Sequence, residues 1–539
     1  MTEHNLADCF DLVAGACADE DALIQRGHKV KWREVARRAR NVAAWMKEKG
    51  VSHQAVVALY TYNHPSYMEG TYAAFKAGLV PANVNYRYRE EELRYLLDNA
   101  DAEVVIVHEE FVPLLANVRA DLPKLKGVLV VADDGAADTS GFPGAEEYEK
   151  VATRDLPEPK VQRSPDDLLF LYTGGTTGMP KGVMWRQGDL YRRLGGGGLS
   201  APPDTKEGLL EFVKSQPMRM RALIGPPLMH GTGWFTAMIS WLAGGAVLTL
   251  DSPKNFDPAE LWHIVERDRP TALTIVGDSF AKPMLRALEQ GGRKYDLSSV
   301  MMITSSGVMW SEETKQGLLR HNPAMMLVDA FSSSEAVGMG LSITTSNGVM
   351  QTGKFQLSPT TRLFDEELRP IETKPGAKGL VGVGGSQPIG YYKDPAKSAR
   401  TFVEISGAGR FSIPGDWAVV NDDGLTLSLL GRGSVCINTG GEKVFPEEVE
   451  EVVKRYPGIK DAVVVGVPDE KFGEAVTAVV SSHGEKLDGE AIRAFVKERL
   501  AGYKAPKHVV QVQDVYRSPS GKADFKRTKE MAVEALAGK

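Results

Sequence analysis

Apolar and polar residues follow two periods along this chain. Between residues 32 and 48, apolar side chains recur every three or four positions, which predicts an amphipathic helix packed on a sheet. Short apolar runs, typical of buried strands, alternate with further helical patterns. The predicted strands are residues 56–60, 103–108, 271–276, 301–303 and 425–430, and predicted helical segments include residues 72–77 and 89–99. This alternation favours an α/β fold built on parallel sheets.

Residues 231–250 form one uncharged stretch that is long enough, as a single apolar helix, to span a bilayer. A glycine pair at 244–245 divides the stretch, and Thr232, Thr236 and Ser240 make it less apolar. A core helix followed by a strand is therefore the preferred interpretation.

Two segments show no such period. Residues 133–158 are rich in Asp, Gly, Ala and Pro, which predicts an exposed connection. Residues 192–216 contain four consecutive glycines and a proline pair, which predict a long irregular passage beside the site. Long loops in compact domains are usually functional or mobile.

Length and composition indicate an ordinary multidomain globular protein. A chain of 539 residues is expected to form two or three domains. Its net charge of −6 gives no reason to expect nucleic-acid binding. Cys9, Cys17 and Cys436 have no metal or redox spacing, and residues 1–18 lack the pattern of a signal peptide. We therefore predict a cytoplasmic protein without a membrane span, and a homodimer by default.

One stretch carries the clearest chemistry. A predicted buried strand, residues 168–172, leads into a loop of glycines and threonines at 173–178, followed by Pro180 and Lys181. Glycines bring backbone N–H groups close to a ligand, threonines add hydroxyl donors, and lysine adds a positive charge, so this loop is a phosphate cradle. A P-loop is disfavoured, because Pro180 precedes the lysine and Gly182 follows it.

Residues 173–182 resemble the signature loop of the adenylate-forming enzymes, which include acyl-CoA synthetases, peptide-synthetase adenylation domains and firefly luciferases. The resemblance implies that the loop holds the β- and γ-phosphates of ATP. The residues implied are Thr173, Gly174, Gly175, Thr176, Thr177, Gly178 and Lys181.

Residues 327–335 are similar to a second motif of that family, an aromatic residue followed by Gly-x-[Thr/Ser]-Glu. Phe331 offers a flat face to the purine, Ser334 can donate to the α-phosphate, and Glu335 is an oxygen ligand for Mg²⁺. This chain departs from the pattern by having Phe331 in place of Tyr and Ser332 in place of Gly. Neighbouring residues implied in ATP binding are Ser306, Gly307, Asp329 and Ala330.

Three further residues match family positions. His230, within the sequence Pro226-Pro227-Leu228-Met229-His230, is implied to lie near the substrate carboxylate, although a lone histidine is otherwise a core residue by default. The resemblance implies that Asp416 accepts hydrogen bonds from the ribose hydroxyls and that Arg432 contacts ribose or phosphate.

After Arg432 the chain has the pattern of a small α+β domain. Helices are predicted at residues 446–456 and 488–500, and strands at 461–467 and 476–481. The resemblance places a hinge at Ser434, usually Asp or Lys in the family, and so divides the chain into an adenylation domain of large mixed parallel sheets, 1–432, and a mobile lid, 433–539. It also implies a coenzyme A tunnel at Gly440, Gly441, Glu442 and Lys443, and a catalytic lysine at Lys522.

The runs 173–186, 430–450 and 517–522 resemble actinobacterial-type acyl-CoA synthetases that act on lipid-like acids, including steroid side-chain acids. The implied reaction uses ATP, Mg²⁺ and coenzyme A to convert a small-molecule carboxylic acid to its thioester through an acyl-adenylate. Transfer to a carrier protein and luciferase-type oxygenation share the first step and stay open. A non-catalytic nucleotide-binding regulator is disfavoured, because Lys522 and Glu335 are both present.

The sequence indicates the class of the carboxylic acid substrate only broadly. Residues 234–242 are mostly apolar and carry no charge, which favours a hydrophobic tail over an amino acid. Aryl, fatty and steroid acids all remain possible at this point.

Overall fold

The computed structural model describes residues 4–173, 179–198, 200–308, 310–349, 353–432, 435, 437–439, 442–469, 472–500, 502–517 and 523–537. The helices of these residues are α1 Leu6–Ala16, α2 Trp32–Glu48, α3 Pro65–Lys76, α4 Glu90–Asn99, α5 Val112–Asn117, α6 Tyr148–Ala152, α7 Gln187–Leu194, α8 Lys206–Ser215, α9 Gly231–Leu242, α10 Pro258–Asp268, α11 Gly277–Gln290, α12 Glu312–His321, α13 Pro395–Thr401, α14 Pro446–Lys454, α15 Gly489–Lys497 and α16 Phe525–Ala537.

The strands are β1 Asp21–Gln25, β2 His28–Lys31, β3 Val56–Tyr60, β4 Val80–Asn83, β5 Ala102–His108, β6 Gly127–Val131, β7 Glu146–Glu147, β8 Leu168–Thr173, β9 Lys181–Arg186, β10 Arg221–Ile224, β11 Ala246–Thr249, β12 Ala272–Ile275, β13 Met302–Ser306, β14 Met326–Phe331, β15 Gly340–Thr345, β16 Gly348–Val349, β17 Lys354–Leu357, β18 Thr361–Phe364, β19 Pro370–Ile371, β20 Lys378–Gly384, β21 Gly390–Tyr391, β22 Phe402–Ile405, β23 Gly409–Ser412, β24 Asp416–Val420, β25 Thr426–Arg432, β26 Ile437–Thr439, β27 Glu442–Val444, β28 Ile459–Asp469, β29 Gly473–Ser482 and β30 His508–Val512.

The first sheet has the order β7-β6-β5-β3-β4-β8-β9-β21. Its strands are parallel from β7 to β8, and β9 and β21 are antiparallel. The predicted apolar strand 168–172 is β8, and it lies where the pairing changes from parallel to antiparallel. Strand β8 ends at Thr173, at the carboxyl edge of the sheet, and β9 runs antiparallel to it from Lys181.

The second sheet has a parallel centre in which β1, β11, β10, β12, β13 and β14 are successive neighbours. Beyond β14 the strands become antiparallel through β15, β17, β25, β24 and β20. Since parallel strands end at the same edge, the segments that follow β10, β12, β13 and β14 are brought together there.

The C-terminal part forms a third sheet, in which β27, β26, β29 and β28 are antiparallel and β30 pairs in parallel with β29. Two hydrophobic clusters of this part contain only residues from 437 onward. The predicted fold class, mixed α/β with a large N-terminal part and a small C-terminal one, is confirmed.

The uncharged stretch 231–250 is helix α9 followed by strand β11, as predicted. Within the described ranges, no helix combines the length and the apolar character needed to cross a bilayer.

The prediction of a long irregular passage at residues 192–216 is wrong, and that of an exposed connection at 133–158 holds only in part. Residues 192–216 are largely helical, because α7 extends to residue 194 and α8 covers 206–215. Thr205 caps α8 by accepting a hydrogen bond from Gly208 N, and Leu209 and Val213 are buried. Residues 133–158 contain β7 and α6, and their Tyr148 and Phe142 are buried in the hydrophobic core.

Candidate active site

Strands β8 and β9, which flank the predicted phosphate loop in the sequence, form a short antiparallel pair. Thr173 at the end of β8 lies directly opposite Lys181 at the start of β9. Lys181 Nζ contacts Asp394 Oδ2, and this ammonium lowers the pKa of the Asp394 carboxyl. Asp394 also caps α13. Lys181 therefore begins β9 with a defined anionic neighbour.

The segment after β14 is tied to two strands of the first sheet. Trp185 Nε1 on β9 donates to the backbone oxygen of Ser334 over 2.9 Å. Tyr391 on β21 donates its hydroxyl hydrogen to Glu335 Oε1, also over 2.9 Å. The hydroxyl of Ser412 donates to the Glu335 backbone oxygen at 2.6 Å. These contacts place the predicted α-phosphate and magnesium residues beside the phosphate hairpin.

Helix α9 begins beside Ser334 and Gly307. A Cβ built on Gly231 would lie 3.5 Å from Ser334 Oγ, and one built on Gly307 would lie 3.8 Å from Thr232 Oγ1. Gly307 has a φ of +91°, a backbone conformation that favours glycine. His230 immediately precedes the helix. The N–H groups and dipole of a helix N-terminus favour an anion, such as a carboxylate or phosphate.

Phe331 and Asp329, at the end of β14, are buried. The ring of Phe331 packs against Phe355 with 5.5 Å between centroids. Asp329 Oδ2 accepts a hydrogen bond from Lys315 Nζ over 2.6 Å, and both side chains are largely buried, with 1% of Lys315 and 9% of Asp329 exposed. Burial raises the pKa of Asp329, and Lys315 opposes this rise. The Asp329 carboxylate is thus engaged by a lysine that sequence reasoning missed.

Asp416 and Arg432 are paired opposite each other in β24 and β25. The rings of Trp417 and Phe445 lie 6.1 Å apart and join this region to the start of α14. The two residues predicted to contact ribose therefore lie next to the C-terminal part of the chain.

Several predicted site residues cannot be placed. Gly174, Gly175, Thr176, Thr177, Gly178, Ser434, Gly440, Gly441 and Lys522 lie outside the described residues, as do the side chains of Arg432, Glu442 and Lys443. Among the predicted site residues that the structure describes, Thr173 and Lys181 lie on the hairpin, and Ser306, Gly307, Ser334 and Glu335 lie with His230 at the carboxyl edge of the second sheet. Asp329, Ala330 and Phe331 lie at the end of β14, and Asp416 begins β24.

The described site residues thus lie at strand ends of two neighbouring sheets. The profile of the AMP-binding enzyme family matches residues 10–392, and that of the AMP-binding enzyme C-terminal domain matches residues 448–522. The chain belongs to this family and is an enzyme, which confirms the resemblance seen in the sequence.

Two relatives that match nearly the whole chain are named as coenzyme A ligases. It is 38% identical to the 3-oxocholest-4-en-26-oate–CoA ligase of Rhodococcus rhodochrous, over 98% of this chain and 95% of the relative. It is 37% identical to the medium/long-chain-fatty-acid–CoA/3-oxocholest-4-en-26-oate–CoA ligase of Mycolicibacterium smegmatis, over 99% of this chain and 97% of the relative. The structure of the anthranilate CoA ligase AuaEII with anthranoyl-AMP matches with a TM-score of 0.83 at 21% identity, over 100% of this chain and 99% of that protein. At this identity the match supports the fold alone.

Proposed function

We propose that this chain is an ATP-dependent ligase that joins a hydrophobic carboxylic acid, fatty or steroid-like, to coenzyme A. The observation that carries the proposal is its similarity, over nearly the whole chain, to CoA ligases named for such acids. The adenylation motifs occur in the same chain in the expected order, from Thr173 to Lys522.

In the first step, a carboxylate oxygen of the acid forms a bond to the α-phosphorus of ATP, and the bond from that phosphorus to the bridging oxygen of pyrophosphate breaks. A carboxylate is already ionised at neutral pH, so the step needs no general base. Lys522, Ser334 and the Thr173–Lys181 loop stabilise the developing charge. The N-terminus of α9 faces Ser334 and lies beside His230, where it favours the anionic reactants.

Glu335 is suited to a magnesium ion. Its carboxylate is the hard oxygen ligand that Mg²⁺ prefers, and the phosphates of ATP supply further oxygens. The bound ion neutralises phosphate charge. Tyr391 fixes the orientation of the Glu335 carboxylate through its hydrogen bond to Oε1.

The nucleoside would lie along the ends of β13, β14 and β24. Phe331 would contact the purine, and Ser306, Gly307, Asp329 and Ala330 would border it. Ser306 and Ala330 are paired opposite each other in β13 and β14. Asp416 and Arg432 would hold the ribose.

In the second step, the coenzyme A thiolate attacks the acyl carbonyl and AMP leaves. We propose that residues 433–539 form a lid that pivots at Ser434, withdraws Lys522 and presents Gly440, Gly441, Glu442 and Lys443 to the pantetheine arm. The separate hydrophobic clusters beyond residue 437 support a lid that moves as one unit.

The acyl tail would follow one face of α9. Gly231, Phe235 and Ile239 are four residues apart, so they share a face of the helix. At one end of this face, Gly231 lies beside Ser334. At the other end, Ile239 contacts Gly198: a Cβ built on Gly198 would lie 3.0 Å from Ile239 Cδ1. The helix rises about 12 Å over the eight steps from Gly231 to Ile239, which suits the chain of a medium or long fatty acid or a steroid side chain.

The test is AMP release from MgATP with and without coenzyme A, across short, medium, long, aromatic and steroidal acids. We expect turnover of long-chain or steroidal acids that depends on coenzyme A. Adenylate formation that ignores coenzyme A would move the second step to a carrier protein or another acceptor. The absence of adenylation with every acid would overturn the proposal. Light scattering on the same sample tests the homodimer expected from the sequence.

A further inference from the structure

Asn83 stands where the two sheets meet. It is the last residue of β4, and its side chain is buried. Its Oδ1 accepts a hydrogen bond from Tyr172 N over 2.7 Å, and its Nδ2 donates to Tyr172 O over 2.9 Å. The same Nδ2 donates to Met229 O over 2.6 Å. One amide therefore binds both the strand that enters the phosphate loop and the residue before His230.

The side chain of Asn83 replaces a missing part of the sheet. The only paired position between β4 and β8 in the described residues is Ala82 opposite Phe170. Beyond that position, the amide of Asn83 binds both backbone groups of Tyr172, as a neighbouring strand would. An asparagine suits this place because its short side chain carries one acceptor and two donors.

Asn63 provides a matched comparison. It follows β3, the neighbour of β4, and is exposed to the same 7% as Asn83. Its Nδ2 donates to Pro226 O over 2.9 Å, and its Oδ1 accepts from Leu228 N over 2.6 Å. Asn63 therefore holds the loop that leads to His230, and none of its hydrogen bonds reaches Tyr172.

We propose that Asn83 is a positioning residue that fixes the distance between the phosphate loop and the His230 loop. The inference rests on the proposed function, in which one loop holds the β- and γ-phosphates of ATP and the other lies by the acid. In-line attack at the α-phosphorus needs the two substrates at a set separation. A misplacement of about 1 Å in such a geometry can lower the rate about 10²-fold.

The experiment compares Asn83→Asp with Asn63→Asp. In each variant the acceptor oxygen stays, and the donor Nδ2 becomes a second carboxylate oxygen that faces a backbone carbonyl. We therefore expect both variants to have a lower thermal midpoint than the wild type. Asn83→Ala, which adds no charge, provides a second variant in case Asn83→Asp does not fold. ATP–pyrophosphate exchange is measured with dodecanoate and with a cholestenoic acid as probes, at varied ATP and varied acid.

We expect the Asn83 variants to raise the KM for ATP at least tenfold and to lower kcat about 10- to 100-fold. Asn63→Asp should raise the KM for the acid and leave the KM for ATP within twofold of wild type. Equal kinetic patterns at the two positions, or wild-type constants in the Asn83 variants, would overturn the positioning role. Failure of the wild-type enzyme with both probes would instead count against the proposed function, and this inference would fall with it.

Discussion

The hydroxyl of Tyr391 donates a hydrogen bond to Glu335 Oε1 across 2.9 Å, joining residues that are 56 positions apart in the sequence. Tyr391 lies on β21, opposite Val183 of β9. The proposed magnesium ligand is therefore oriented by the same group of strands that carries the phosphate hairpin.

Tyr391→Phe removes this hydrogen bond and keeps the buried ring. Partners that orient a metal ligand typically contribute about 10- to 100-fold to metal affinity. We expect the Mg²⁺ concentration for half-maximal adenylation to rise by about that factor, with little change in thermal midpoint. Tyr392→Phe is the control, because its hydroxyl bonds to Asp101 and not to Glu335. An unchanged Mg²⁺ titration in the Tyr391 variant would remove Tyr391 from the site.

The buried pair of Lys315 and Asp329 predicts a large effect on stability. Lys315→Met leaves the Asp329 carboxylate buried without its cation, a change that typically costs about 3–5 kcal/mol. Urea unfolding followed by tryptophan fluorescence should show an earlier first transition. The exposed pair Arg320 and Glu289 is the comparison, because Arg320→Gln should cost under about 1 kcal/mol. A comparable loss in both variants would contradict the buried pairing.

Local patterns allowed part of the fold around this site to be predicted from the sequence. The buried strand 168–172 was predictable because its apolar residues are contiguous, whereas its antiparallel pairing with β9 was not predicted. Helix α9 was predictable for the same reason, because its uncharged residues and the glycine pair after it are contiguous.

The contacts between distant segments were not predictable. Lys315, Tyr391 and Asn83 reach the site only because of the order of strands in two sheets, which a single sequence does not specify. Helix α8 was missed for a different reason: glycines and prolines before it dominated the pattern, whereas its inward residues Leu209 and Val213 and its Thr205 cap are short signals.

His64 makes stability depend on pH. Burial, with a smaller effect from the nearby His108, lowers its pKa to about 3 from the usual 6.5. Between these values the unfolded chain binds a proton that the folded protein does not, so the free energy of unfolding decreases as pH falls from about 6.5 toward 3. The decrease from this group amounts to about 2 kcal/mol between pH 6.5 and 5.

His64→Asn should reduce that slope. His64 Nδ1 caps α3 by accepting from Ser66 N, and asparagine is a good cap that does not titrate in this range. Thermal midpoints of variant and wild type should be similar at pH 7 and should diverge at pH 5, with the variant the more stable. His28→Asn changes an exposed histidine and should leave the slope intact. Parallel pH profiles for wild type and His64→Asn would show that His64 is protonated in the folded protein.

Lys522 is expected to act in only one of the two half-reactions. If its ammonium stabilises charge only during adenylation, Lys522→Ala should lower ATP–pyrophosphate exchange about 10²–10³-fold, the usual effect of losing one such contact. Thioester formation from a supplied acyl-adenylate and coenzyme A should keep most of its rate, because the lid would already have withdrawn this residue. Lys526→Ala removes the same charge from α16 and is expected to leave both steps unchanged. Equal slowing of both half-reactions in Lys522→Ala would mean that the lysine acts in both of them. The proposal that residues 433–539 alternate between two positions would then have to be abandoned.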